Sequence, residues 1–228
     1  MSKIQKELKK MQDLAYRDFN AKLIPNVDVS TMIGVRSPML KRYAKEISKD
    51  EKTKIDFLKS LPHVYFDEYM LHIHIINLEK DLEIAFKEVN KLLPYVDNWA
   101  VCDSLRPNIF KKYPDEVYAC ILKWLTSEHV YTKRFAIGLL LSNYLDEHFK
   151  EEHLRLVSQL NSDDYYLDMM IAWYFSIALI KQWNCTLPYF TNPTMKPWII
   201  NKAISKGIDS YRLSKQQKDY LRSLKIKK

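Results

Sequence analysis

The stretch Ser37–Ile47, SPMLKRYAKEI, is written as a helix. Ser37 is suited to an N-cap, because its hydroxyl can accept a backbone N–H of the first turn. Pro38 follows at the first helical position, where its missing N–H and fixed φ are harmless. Leu40, Tyr43, Ala44 and Ile47 then recur at spacings of three and four, which puts them on one apolar stripe.

The same period runs outward in both directions. Upstream, IQKELKKMQDLAYRDFNAKL places Ile4, Leu8, Met11 and Ala15 on one face with lysines opposite, which predicts a single helix. Downstream, DEYMLHIHIINLE, DLEIAFKEVNKLL, DEVYACILKWLTS and VYTKRFAIGLLLSNYL repeat the pattern. EEHLRLVSQL, DDYYLDMMIAWYFSIALIK, MKPWIINKAIS and SKQQKDYLRSL continue it. Pro94 ends one of these runs and Pro114 opens another. No segment alternates as a half-buried strand does. The expected fold is all-α: helix pairs with short links, of the HEAT-like repeat kind, stacked into a solenoid. No linker interrupts the series, so residues 1–228 are expected to form one domain. An irregular helical globule is the plainer alternative.

Composition limits the function. Hydrophobic residues make up 47% and aromatics 13%, enough for a sizeable core and against disorder. Only 3 glycines occur, and neither GxGxxG nor GxxxxGK[ST] is present, so nucleotide-cradling loops are not expected. The 3 cysteines, Cys102, Cys120 and Cys185, form no CxxC pair and suit a reducing, cytoplasmic setting. The opening MSKIQKELKKMQ lacks the apolar core of a secretory signal. The most apolar run, Met169–Ile180, falls short of the ~20 residues a spanning helix needs, so no membrane partner is expected. A net charge of +8 favours an acidic partner, with nucleic acid first, although a solvated basic surface has the same charge.

The chemistry concentrates in Asp97–Leu105, DNWAVCDSL. Trp99 and Asp103 are four apart, so on a helix they share a face, one turn from each other. Asp97 or Asn98 can cap that helix. An indole beside a carboxylate suits a cationic, partly apolar ligand, or positive charge developing in a transition state. The plain reading makes Trp99 core and Asp103 a cap. Lys133 and Arg134 interrupt an apolar helix; such an Arg snorkels, pairs with a carboxylate or holds a phosphate. Trp173 lies in the most hydrophobic helix, where core packing is the default. His72 and His74 point to different faces of a helix, which disfavours a metal pair. Cys102 reads as a small buried hydrophobe. The terminal LKIKK reads as a frayed cationic tail.

Taken in order, GVRSPMLKRYAKEI (Gly34–Ile47), DNWAVCDSL, YTKRFAIGLL and IAWYFSIAL resemble the AlkD-type DNA alkylation-repair glycosylases, a family of HEAT-like repeat proteins. The resemblance spans roughly Tyr16 to Trp173. It implies a monofunctional glycosylase that hydrolyses the N-glycosidic bond of cationic alkylated purines, such as 3-methyladenine and 7-methylguanine, in duplex DNA. No deep base pocket, metal or cofactor is implied. By resemblance the catalytic carboxylate falls on Asp103, the tryptophan one turn before it on Trp99, the groove arginine on Arg134 and the second sugar-facing tryptophan on Trp173. Tyr16 corresponds to an aromatic of the first helical hairpin, at a longer spacing from GVRSP than in the family. Ala100 stands where some members carry another acid. Candidate phosphate contacts are Lys41, Arg42, Arg106, Lys111, Lys112 and Lys133, besides Arg134. A monomer is expected. The competing reading is a catalytically silent HEAT-like module that binds DNA or a protein.

Overall fold

The computed structural model describes residues 1–160 and 162–226. Helices dominate, and among the described residues the one β-type contact is an isolated bridge between Gln12 and Val35. The chain divides into two compact units, Met1–Tyr113 and Pro114–Lys228.

The first unit opens with α1 (Lys3–Lys10), held by a capping box in which Ser2 and Gln5 exchange side-chain and backbone bonds. The single helix expected from Ile4 onward is in fact two. Asp13 accepts the Tyr16 N–H at 2.9 Å and so starts α2 (Leu14–Leu23). Its own N–H donates to the Gly34 carbonyl at 3.0 Å, turning the chain between the two helices. The apolar stripe stops at that turn: Ile4 and Leu8 are buried, Met11 is half-buried and Ala15 is exposed.

Helix α3 (Ser37–Ile47) buries Leu40, Ala44 and Ile47, with Tyr43 at the margin. Arg36, not Ser37, occupies the cap position, and it makes no side-chain cap bond. Proline in the first turn is what sets the start. Next come α4 (Glu51–Leu58), α5 (Phe66–Asn77), α6 (Leu82–Leu92) and α7 (Trp99–Ser104), with short 3-10 turns at Leu93–Tyr95 and Asn108–Lys112. Helix α5 is the spine of the unit: it packs against α3, α4, α6 and α7.

In the second unit, α8 (Pro114–Leu125) packs on α9 (Val130–Asn143), α9 on α11 (Tyr165–Lys181), and α11 on α14 (Pro197–Asp209). Shorter helices fill the links: α10 (Glu151–Ser158), α12 (Trp183–Thr186), α13 (Pro188–Thr191) and the last, α15 (Lys215–Ser223). Helices α9 and α11 are covered on most sides, which is why their apolar residues are not confined to one stripe. Packing of successive long helices on one another is the helical-repeat pattern the periodicity predicts. The tail is not frayed as far as Ile226. Asn201 accepts the Ile226 N–H and donates to its carbonyl, both at 2.9 Å. Lys227 and Lys228 of the predicted tail lie outside the described residues.

Candidate functional site

Helix α7 is only six residues long, too short to stand on its own propensity. Bonds at both ends hold it. At the start, the buried Asn98 accepts the Val101 N–H at 3.0 Å. Asn26 reaches the Asp97 carbonyl just ahead of it at 2.6 Å. At the far end, Asn77 of α5 donates to the Ser104 carbonyl at 2.8 Å and accepts the Arg106 N–H at 2.6 Å. Trp99 and Asp103, both half-buried, thus ride one turn apart on a clamped segment. Trp99 is not core. Its indole N–H donates to the Leu23 carbonyl at 3.1 Å, which fixes the ring against the end of α2.

The Trp99 ring forms one wall of a cavity of about 80 Å³, shared with Tyr16, Leu23, Met32, Gly34 and Phe66. So the aromatic assigned by resemblance to the first helical hairpin lies against the same space as Trp99. The Arg36 guanidinium sits over the Tyr16 ring at 5.1 Å and pairs with Asp13 at 2.8 Å. The Tyr16 N–H and Arg36 together hold the Asp13 carboxyl below the usual carboxylate range.

A buried carboxylate lines the same cavity. Asp67 of α5 accepts the N–H groups of Ile33, at 2.6 Å, and Val35, also at 2.6 Å, with Gly34 at 3.1 Å between them. This is a backbone nest wrapped around a side chain. Burial pushes the Asp67 pKa up, against the three N–H donors that pull it down. Gly34 at the centre of the nest has φ +90, and an added Cβ would lie 2.6 Å from Arg17 Cβ and 2.6 Å from the Asp13 carbonyl oxygen. That is a physical reason for the glycine of GVRSP.

The other candidate cations of this unit differ in their surroundings. Arg106, just past the end of α7, turns back and donates to the Leu105 carbonyl at 2.6 Å and to the Cys102 carbonyl at 3.4 Å, and so caps the C-terminal end of the helix. Arg42 is exposed beside Glu46 at 4.0 Å. Lys111 and Lys112 stand exposed on the 3-10 turn. Lys41 lines a groove with His74 and Arg106. The two histidines of HIH do part company: His72 shares a 2.8 Å bond with His63, whereas His74 faces that groove.

In the second unit, Arg134 is only 4% exposed and donates to the Tyr166 carbonyl, tying α9 to the first turn of α11. Snorkelling to solvent is thereby ruled out for it. Lys133 beside it is half-buried. Trp173 breaks the core default: it is 37% exposed, between the buried Ala172 and Tyr174. Lys206 of α14 has its pKa lowered by burial first and then by the charges of Lys202 and Arg134, with Asp209 opposing them. Lys202 and Lys206 went unnoticed in the sequence; their spacing of four on α14 was the available signal. Tyr165 and Trp198, both exposed, meet edge to face at 5.6 Å.

No helix among the described residues is long and apolar enough to cross a membrane. No curated protein matches the chain. The family model described as DNA alkylation repair enzyme matches residues 4–206, a span that takes in the nest, the clamped α7, Arg134 and Trp173. The chain belongs to the DNA alkylation repair enzyme family.

Proposed function

We propose that this protein is a monofunctional DNA glycosylase that releases cationic alkylated purines, 3-methyladenine and 7-methylguanine, from duplex DNA by hydrolysis. The observation that carries the reading is the pairing of Trp99 with Asp103 on a short helix clamped at both ends, in a chain of the alkylation-repair family. A purine already alkylated to a cation leaves without a general acid. As the bond from C1′ to the ring nitrogen breaks, its electron pair neutralises the base. The positive charge passes to the sugar, which becomes oxocarbenium-like.

The task left to the protein is to stabilise that charge. A carboxylate at Asp103 facing C1′ does so electrostatically and orients the water that attacks. The water oxygen bonds to C1′ and gives up a proton to the Asp103 carboxylate, which passes it to solvent, leaving an abasic site and a free base. The Trp99 face packs on the deoxyribose and contributes π-electron density. Trp173 takes the same role by resemblance, and Arg134 that of holding a backbone phosphate. Lys41, Arg42, Arg106, Lys111, Lys112 and Lys133 are the proposed neutralising contacts along the strand, with Tyr16 at the Trp99 cavity. Residues 1–228 are proposed as one repair domain, a monomer in the cytoplasm. The reaction uses no cofactor.

One observation favours the second reading, a silent DNA-binding module: Arg134 is buried and already bonded to a carbonyl. The deciding experiment incubates excess protein with duplex DNA carrying 7-methylguanine or 3-methyladenine and measures free base. Release that depends on Asp103 supports the glycosylase; intact lesions with retained duplex binding support the module.

A further inference from the structure

The first unit holds a cavity of about 630 Å³ among α1, α3, α4 and the turn that enters α5. It shares no lining residue with the Trp99 cavity. Its charge is the reverse of the chain's. Five carboxylates line it, Glu7, Glu46, Asp50, Asp56 and Glu68, against one ammonium, Lys3. The protein around it carries a net charge of +8. Such a cavity repels a phosphate strand and attracts a cation. Between the carboxylates the lining is apolar. Ile4, Ile47 and Phe57 are buried there, and the His63 ring stacks on Phe57 at 4.8 Å. Burial lowers the His63 pKa to about 4, so the ring is neutral at pH 7 and does not oppose a cation.

Glu68 sets this cavity apart from a chance cluster of surface acids. It is 4% exposed, in the first turn of α5. Its Oε2 accepts the Tyr65 N–H at 3.0 Å, the Val64 N–H at 3.2 Å and the Gln5 amide at 3.3 Å. Its Oε1 accepts no hydrogen bond among the described residues. A carboxylate oxygen withdrawn from water in this way is costly until a donor meets it. Other acids of the lining are engaged to different degrees. Glu7 pairs with Lys10 at 2.7 Å, and Asp50 caps α4. Glu46 has only Arg42, at 4.0 Å. Asp56 is exposed and has no ion pair among the described residues. The Tyr43 hydroxyl lies near two of these groups: burial first, then the charges of Glu7 and Glu46, raise its pKa.

We infer that this cavity binds a linear aliphatic polyamine, with Glu68 meeting one ammonium, Glu46 and Asp56 the others, and the methylene chain lying on Phe57 and His63. A polyamine carries ammonium groups on an apolar chain, which matches carboxylates set around an apolar lining. A metal cation needs several oxygens converging on one point. No group of three acidic, histidine or cysteine side chains is so placed among the described residues. The inference does not depend on the glycosylase reading.

The test titrates spermidine into the full chain by calorimetry at physiological salt, with magnesium chloride as the purely ionic comparison. Isotope-labelled histidines report the His63 ring in parallel. Three variants are compared with wild type. Glu68→Gln keeps an oxygen for the Tyr65 N–H. Glu46→Gln/Asp56→Asn changes two exposed acids of the lining, and Glu83→Gln/Glu128→Gln changes two exposed acids outside it. The expected result is saturable binding of one spermidine with a His63 shift that magnesium does not reproduce. Glu68→Gln should weaken binding about ten-fold or more, because a charge-assisted bond is lost. The exposed pair of the lining should weaken it by about three-fold, and the outside pair by less than about two-fold. If Glu68→Gln does not fold, the contrast between the two double variants decides.

Three results overturn the inference: no saturable binding, equal weakening by the two double variants, or the same His63 shift with magnesium as with spermidine. A short oligolysine peptide that shifts His63 where spermidine does not would also overturn it, in favour of a basic protein segment.

Discussion

Asp103→Asn keeps the size of the side chain and removes its charge. The caps of α7 are left in place, because Asn98 and Asn77 make them. The magnitude follows from where Asp103 sits. It is half-buried, so its field is neither fully screened nor that of a dry interior. A unit charge pair at ~4 Å with an effective dielectric of ~20 interacts by about 4 kcal/mol. The sugar carries only part of a charge at the transition state, which brings the loss to roughly 3 kcal/mol, or on the order of a hundred-fold in rate. The loss should fall on the chemical step and leave duplex affinity unchanged. Single-turnover release of 7-methylguanine with enzyme in excess reads the step directly, with thermal melting as the check on folding. An Asp103→Asn protein that is folded and releases base at the wild-type rate refutes the electrostatic role.

Three further outcomes are expected. Gly34→Ala forces an L side chain into φ +90 against Arg17 and the Asp13 carbonyl, and should cost at least about 1–3 kcal/mol in denaturant unfolding; a stability equal to wild type would show that the nest is not tight. Arg134→Ala removes a charged donor from the Tyr166 carbonyl and should lower stability by about 1.5–3 kcal/mol along with duplex affinity, measured by melting and by anisotropy; loss of stability with full affinity would remove Arg134 from the phosphate contacts. Acid should destabilise the fold through buried imidazoles: burial lowers His63 to about 4, His72 to about 3 and His74 to about 4, all below the unfolded value near 6.5. The stability they give is complete above about pH 6.5 and lost as pH falls through 4 toward 3, each contributing up to ~1.4 kcal/mol per pH unit; a melting temperature flat from pH 6.5 to 4 would contradict this.

Some of this architecture is plain in the sequence. Ser37–Ile47 announces itself through Pro38 and a stripe of spacing three and four, and the structure buries three of its four stripe residues. Trp99 and Asp103 are legible for the same reason, since a spacing of four means one face of a helix. The break after Lys10 is harder to see, because Asp13 caps α2 from inside a run whose apolar period continues across it. Helix α4 buries only Phe57 and Leu58, too little for a stripe, and its start lies in the bond from Asp50 to the Thr53 N–H. Asp67 in its nest could not be read, because its partners lie more than thirty residues upstream and are backbone groups. The burial of Arg134 and the exposure of Trp173 were hidden for a related reason. On helices covered on most sides, periodicity no longer says which side is outward.

The measurement that bears most directly on the central claim is base release by the unaltered protein. Duplex DNA containing 7-methylguanine is incubated with enzyme in excess, and the free base and abasic sites are counted together. Equal amounts of both, appearing far faster than without protein and without added metal, are the predicted result. Duplex binding with no free base above the uncatalysed background would contradict it.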